Sequence, residues 1–528
     1  MSNNTRIAKT QFILALLVML ALSVTPVAYA AAPGITGPSF SLTAQSAFIT
    51  QPDGSMIYSW GYGCNGAPAG FAPAAISNSS CSNMQVPGPT LIVTQGQTVT
   101  VTLSNNLPPA AGNTSILFPG FQATSPSGSG VPGLLAQEAV PGGTVTYTFT
   151  ASSPGTRAYY SGTQSDLQVE MGLYGAIIVL PSSIPAECTS GLHTSNLSAQ
   201  ARWGENNFRL AAAAYNHPGA CYDREYLFQF SEIDPRIHRQ AEEQIATVSS
   251  CVPTVAVPCP TMLSIATEPY VPAYFMVNGR SMPDLMDPNY APEYPHQPYN
   301  GNPHMHPGEL VLLRIVGQGR WQHPFHEHGN HVRVLARDGN LIFSSTHAEA
   351  NLAGPVLFTT TTTPGQSIDG IYYWTGKGLN WDAFGHSPTV TPSASCSPDA
   401  NGYNTSDPSA VNYFEWCQDH NKPLQATPLG AVAGGGPATL PDPNIFANGA
   451  WFGGSPYLGP EATVRAVGST GTTPPSGTIA NSPTEEAGFA FMWHSHNERE
   501  ITTNNIFPGG MMMMMLVDSR EFVIDESN

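Results

Sequence analysis

Positive charge is scarce in this chain. Lys and Arg number 18 against 36 Asp and Glu, a formal net charge of −18, and charged residues of both signs fill only 10% of the 528 positions. No cluster of lysines or arginines is present to grip a phosphate backbone, which excludes nucleic acid as a partner. The acidity reads as solubility outside the cell rather than as a docking surface. Long apolar runs are also missing. The one from Phe12 to Leu22 falls short of the roughly 18 residues a spanning helix requires, so no membrane span is expected in the mature chain. Helix signals are few: the clear one starts at Asp234-Pro235, a cap followed by proline in the first turn, and continues through Gln244 as decoration on a connection.

What is present begins with an address. Arg6 and Lys9 precede the short apolar run, and Ala28-Tyr29-Ala30 stands before Ala31, so residues 1–30 read as a cleaved secretory signal and the protein as exported, whether periplasmic, cell-surface or extracellular. Eight cysteines agree with that compartment. They fall as neighbours, Cys64 with Cys81, Cys188 with Cys221, Cys251 with Cys259 and Cys396 with Cys417, in loops rich in Gly, Pro and Ser. Spacing alone leaves about 105 pairings open, but local staples are the expectation.

With 51 Gly and 49 Pro the chain favours short strands joined by turns. Pro87-Gly88-Pro89 leads into Thr90-Leu91-Ile92-Val93. Gln95-Gly96 then turns into Thr98 to Leu103, which alternates with period two. Pro141-Gly142-Gly143 and Gly172 to Gly175 introduce two more strands, and this half reads as a β-sandwich over 36–182. The second half repeats the grammar at Pro307-Gly308-Glu309, Pro364-Gly365-Gln366 and Pro508-Gly509-Gly510, giving a second sandwich over 266–525. Between them 183–265 reads as a disulfide-stapled linker. Residues 387–482 read as a long irregular insertion in the second sandwich, with a degenerate third domain as the alternative.

Two short stretches carry the chemistry. In Trp321 to His331 the alternation of a strand puts His326 and His328 on one face about 6–7 Å apart, a spacing suited to metal. Met492-Trp493-His494-Ser495-His496 repeats the pattern, and two such pairs meeting in space would supply four imidazoles, which suit copper, zinc, iron or nickel. Among the other candidates, Met511 to Met515 reads as core packing rather than a cuprous site. His304 and His306 read as a surface loop, and His331 as a packing residue. Aligning the halves sets His326-Glu327-His328-Gly329 opposite Leu117-Phe118-Pro119-Gly120, and His494-Ser495-His496 opposite Tyr160-Ser161-Gly162.

This arrangement resembles the multicopper oxidases, the family of laccases and related cupredoxin-fold enzymes, across both halves. The resemblance implies an all-β chain of two cupredoxin-like Greek-key β-sandwich domains. Family members hold three coppers with four His-x-His pairs between two domains, and a separate blue copper with two histidines, a cysteine and usually a methionine. The match of His323-Pro324-Phe325-His326-Glu327-His328-Gly329 implies His323 as a blue-copper ligand and His326 and His328 as cluster ligands. His494 and His496 would be cluster ligands too. Ser495 stands where the blue-copper thiolate belongs and Glu500 where its second imidazole belongs. Met511 is positioned as the axial thioether, which cannot make a blue site alone. Leu117, Pro119, Tyr160 and Gly162 occupy the places of the other four cluster histidines. The expectation is therefore an exported multicopper-oxidase-like protein that binds copper, or another transition metal, in fewer than the family's four ions. His326, His328, His494 and His496 would hold it, with at most modest oxidoreductase activity. Two other readings stay open: an active oxidase whose missing ligands come from another subunit of a homo-oligomer, and a structural extracellular assembly protein. The sequence does not identify a redox partner.

Overall fold

The computed structural model describes residues 31–251, 259, 262–344, 351–377, 384, 395–418 and 488–526, together with the backbone of 454–458 and 479–480. The signal segment 1–30 and most of the expected insertion at 387–482 lie outside these residues.

The first half contributes β1 (Gly34–Thr36), β2 (Ser39–Thr50), β3 (Met56–Cys64), β4 (Phe71–Ala72), β5 (Leu91–Thr94), β6 (Thr98–Asn105), β7 (Val131–Pro132), β8 (Gln137–Glu138), β9 (Thr144–Thr150), β10 (Gly155–Tyr160) and β11 (Tyr174–Leu180). A sheet ordered β10-β11-β5-β1-β4 faces one ordered β3-β2-β6-β9. Alternation decides which face is inside. Along β6 and β9 every second residue is buried, and the antiparallel register aligns Val99 with Phe149, Val101 with Tyr147 and Leu103 with Val145 in one core.

The second half contributes β12 (Arg224–Ile233), β13 (Tyr274–Val277), β14 (His304–Met305), β15 (Leu310–Gly317), β16 (His323–Glu327), β17 (Val332–Arg337), β18 (Asn340–Leu341), β19 (Val356–Leu357), β20 (Thr359–Thr362), β21 (Ser367–Tyr373), β22 (Gly454–Leu458), β23 (Ile479–Ala480), β24 (Gly488–Ser495) and β25 (Met512–Asp518). One sheet runs β13-β12-β15-β21-β17-β18 and the other β14-β25-β24-β16-β20, around a core of Phe228, Phe230, Phe325, Trp493, Met511, Met513 and Met515. The methionine run packs the core as expected.

Two expectations change. The supposed linker supplies β12, buried over its whole length and paired in parallel with β15 from Arg224–Val311 to Phe230–Gly317. Its polar residues hid it, because the charges are buried in ion pairs instead of facing water: Arg224 bonds Glu205, Glu309 and Glu526, and Glu225 bonds Arg314. The Asp234-capped helix is present as Pro235–Ser250, but it does more than decorate, since Ile237 and Ala241 join the first core and His238 bonds the carbonyls of Tyr58 and Glu170. A second helix, Gly191–Arg202, carried no readable signal: its apolar and polar residues do not segregate to faces. The four disulfides join Cys64–Cys81, Cys188–Cys221, Cys251–Cys259 and Cys396–Cys417, all local.

Candidate metal centre

Strands β16 and β24 are antiparallel neighbours, and their register sets His326 opposite His494. That pairing is what brings the two His-x-His stretches together. His326 and His328 ring centroids are 4.8 Å apart, His326 and His496 also 4.8 Å, His328 and His494 5.2 Å, and His326 and His494 5.6 Å. His494 Nε2 approaches His328 Nε2 to 3.3 Å. His326 and His494 are buried, His328 is half-buried and His496 is exposed, so the group opens to solvent on one side.

Surrounding groups aim the rings. Thr359 Oγ1 lies 2.8 Å from His326 Nδ1, and the Ser495 carbonyl lies 2.7 Å from His494 Nδ1. The His328 carbonyl accepts from Trp493 Nε1 at 2.9 Å and from Tyr372 Oη at 3.1 Å, which pins the end of β16. Gly329 follows with φ +95°, and a Cβ there would collide with the Tyr372 hydroxyl. Burial, then the neighbouring imidazoles, pushes His326 down to about 4; burial also lowers His494. Neutral imidazole is the form that ligates metal.

Between His326 and His328, on the opposite face of β16, Glu327 is fully enclosed and accepts from Thr360 Oγ1. Burial raises its carboxyl to about 8, so it stays protonated at neutral pH.

His323 lies apart from the four and is engaged by two acidic side chains. Its Nδ1 lies 2.9 Å from Glu500 Oε2 and its Nε2 3.0 Å from Glu232 Oε2, all three side chains being 0% exposed. Although burial opposes the charge, the two carboxylates prevail and raise the imidazole to about 9. A ring protonated on both nitrogens has no lone pair to give a metal. Glu500 also accepts from Ser495 Oγ at 2.5 Å and Asn497 Nδ2 at 2.8 Å, so Ser495 and Glu500 bond each other. Glu232 accepts from the backbone N–H groups of Arg320 and Trp321, at 2.7 and 2.8 Å. Glu232 had no sequence signal, because it arrives from β12.

The surface-loop expectation for His304 and His306 is corrected: both are buried, His304 on β14 and His306 just after it. His304 Nδ1 pairs with Asp518 at 2.5 Å and His306 Nε2 pairs with Glu205. Glu205, His306 and Glu309 place ligand-type atoms within 4.8 Å of one another. Arg224 already lies 2.5 Å from both glutamates, so a guanidinium neutralises the charge a cation would seek. His331 packs its ring edge-on to Phe358, as a packing residue would.

Multicopper oxidase family models match residues 72–183 and 266–371. Among curated relatives, Laccase 1 of Metarhizium acridum is 38% identical over 117 residues, 22% of this chain and 18% of that protein. L-ascorbate oxidase of Brassica rapa subsp. pekinensis is 38% identical over 98 residues, 18% of this chain and 16% of that protein. The matches thus span less than a fifth of these relatives' length. Among solved structures, the multicopper oxidase mgLAC covers 91% of this chain and 86% of its own at 16% identity and a TM-score of 0.43. The blue copper oxidase from Nitrosomonas europaea covers 91% and 85% at 14% identity and a TM-score of 0.42.

Proposed function

Because this chain belongs to the multicopper oxidase family, we propose that it is an exported member binding one copper ion per chain through His326, His328, His494 and His496. Its oxidoreductase activity is at most modest. The observation that carries this reading is the approach of His494 Nε2 to His328 Nε2 at 3.3 Å among four crowded imidazoles. Two nitrogens bound at about 2.0–2.1 Å to one tetrahedral ion stand roughly 3.3–3.4 Å apart, so these two rings are spaced to share an ion, with His326 and His496 turning in to complete it. Copper held there supplies a one-electron redox couple and a Lewis acid. The chain's own residues do the rest: Thr359 and the Ser495 carbonyl orient rings, and the exposed edge of His496 leaves an approach from solvent.

Laccase turnover is not part of the proposal. Four of the family's cluster positions hold Leu117, Pro119, Tyr160 and Gly162, and His323, Ser495 and Glu500 are engaged with carboxylate or hydroxyl partners. The two cupredoxin-like domains, 36–182 and 266–525 with β12 added to the second, belong to the same proposal, as does export.

Elemental analysis after copper loading and dialysis at neutral pH tests the site on wild type, His326→Ala/His328→Ala and His304→Ala/His306→Ala. The expected contents are one ion, none and one. Equal metal in all three, or none in any, sinks the proposed centre.

A further inference from the structure

On the outer face of the β12–β15–β21–β17 sheet lies a half-open cleft of about 510 Å³ that the metal reading does not use. The sheet register builds it. Arg333 on β17 stands opposite Ile371 on β21 and Val356 on β19, while Leu310 on β15 stands opposite Tyr373. Strand alternation sends Val332 and Val334 into the core, both fully buried, and turns His331 and Arg333 to the cleft side. The walls are therefore apolar and aromatic, with one cation at their edge.

Arg333 is exposed and in no salt bridge among the described residues; Arg202, Arg239 and Arg337 share that state, but Arg333 is the arginine that lines this cleft. Asn330 accepts from the His331 N–H at 2.8 Å and donates to the Tyr373 carbonyl at 2.6 Å, which fixes the cleft's polar rim. An isolated guanidinium beside an apolar wall selects a ligand with a planar anionic group and a hydrophobic body.

We propose that this cleft binds an aromatic carboxylate, its ring on Ile371, Val356 and Tyr373 and its carboxylate on Arg333. The Phe358 ring stands edge-on to both His331, at 5.2 Å, and His326, at 5.6 Å, so the bound molecule lies one aromatic ring from the four-histidine group. The binding itself does not depend on metal.

Fluorescence titration of the chelator-treated full chain with 2-naphthoate tests this, with 2-naphthamide as the uncharged isostere. Removing metal first prevents the carboxylate from reporting on the histidines. The expected result is saturable binding of 2-naphthoate, on the order of tenfold weaker for the amide and for Arg333→Gln. Val356→Trp, at a half-exposed edge-strand position, should block the cleft and abolish binding with the melting temperature unchanged. Retained binding in that variant, equal affinity for naphthoate and naphthamide, no loss in Arg333→Gln, or no saturable binding by wild type overturns the proposal.

Discussion

At the scale of single residues, His323 is held by two acidic side chains, a proton on each ring nitrogen satisfying Glu232 and Glu500. A folded-state imidazole raised to about 9 stabilises the fold fully below its ordinary value near 6.5, and that stabilisation disappears as pH climbs through about 9. The melting temperature of wild type should thus fall more steeply between pH 7 and 9.5 than that of His323→Gln, and parallel curves from calorimetry would refute the ion pair. Ser495→Cys, loaded with copper, should show no intense blue absorption, because Glu500 still occupies His323 Nδ1; a laccase-like spectrum would count against this geometry. Glu327 behaves in the opposite sense. Its carboxyl is raised to about 8, so folding takes up a proton and stability declines as pH rises from about 4.5 to 8. Glu327→Gln should be the more stable protein at pH 7.5 by roughly 2–3 kcal/mol, the gain vanishing near pH 4. Urea midpoints at the two pH values decide it.

Among elements, the disulfides and strands divide the labour of closing loops. The bridges enclose separations of 8, 17, 21 and 33 residues. If loop entropy dominates, removing Cys188–Cys221 should cost about 1 kcal/mol more than removing Cys251–Cys259. Urea titration of the two double-serine variants measures this directly, and the reverse order would assign the effect to native packing. The pairing of β16 with β24 has the larger functional consequence. A one-residue slip would turn His326 and His328 to the face now holding Glu327, so the buried Phe325 and Trp493 that lock the register also assemble the centre.

For the whole molecule, a net charge of −18 surrounds a histidine group open on one side. Cation capture should be steered by that field. The rate of Cu²⁺ uptake by stopped flow should drop several-fold between about 10 and 150 mM salt, and a salt-independent rate would show that the field does not reach the opening. Some features were legible without coordinates because they are local. Alternation at Thr98 to Leu103, Pro-Gly turns, the Asp234 cap, neighbouring cysteines and the His-x-His spacing all express periodicity or backbone chemistry within a few residues. By itself, then, the sequence determined the all-β class, the repeated strand-and-turn pattern, the neighbouring placement of the cysteines and the two histidine pairs. Only the tertiary structure decided that β12 is a core strand, that His323 is clamped by Glu232 from 91 residues away, that His304 and His306 are buried against Asp518 and Glu205, and that Arg333 borders an apolar cleft. Each of those depends on which distant polar group fills a buried partner's hydrogen-bonding capacity. That choice is made by strand order and register across the sheets, and no pattern within a short window encodes it.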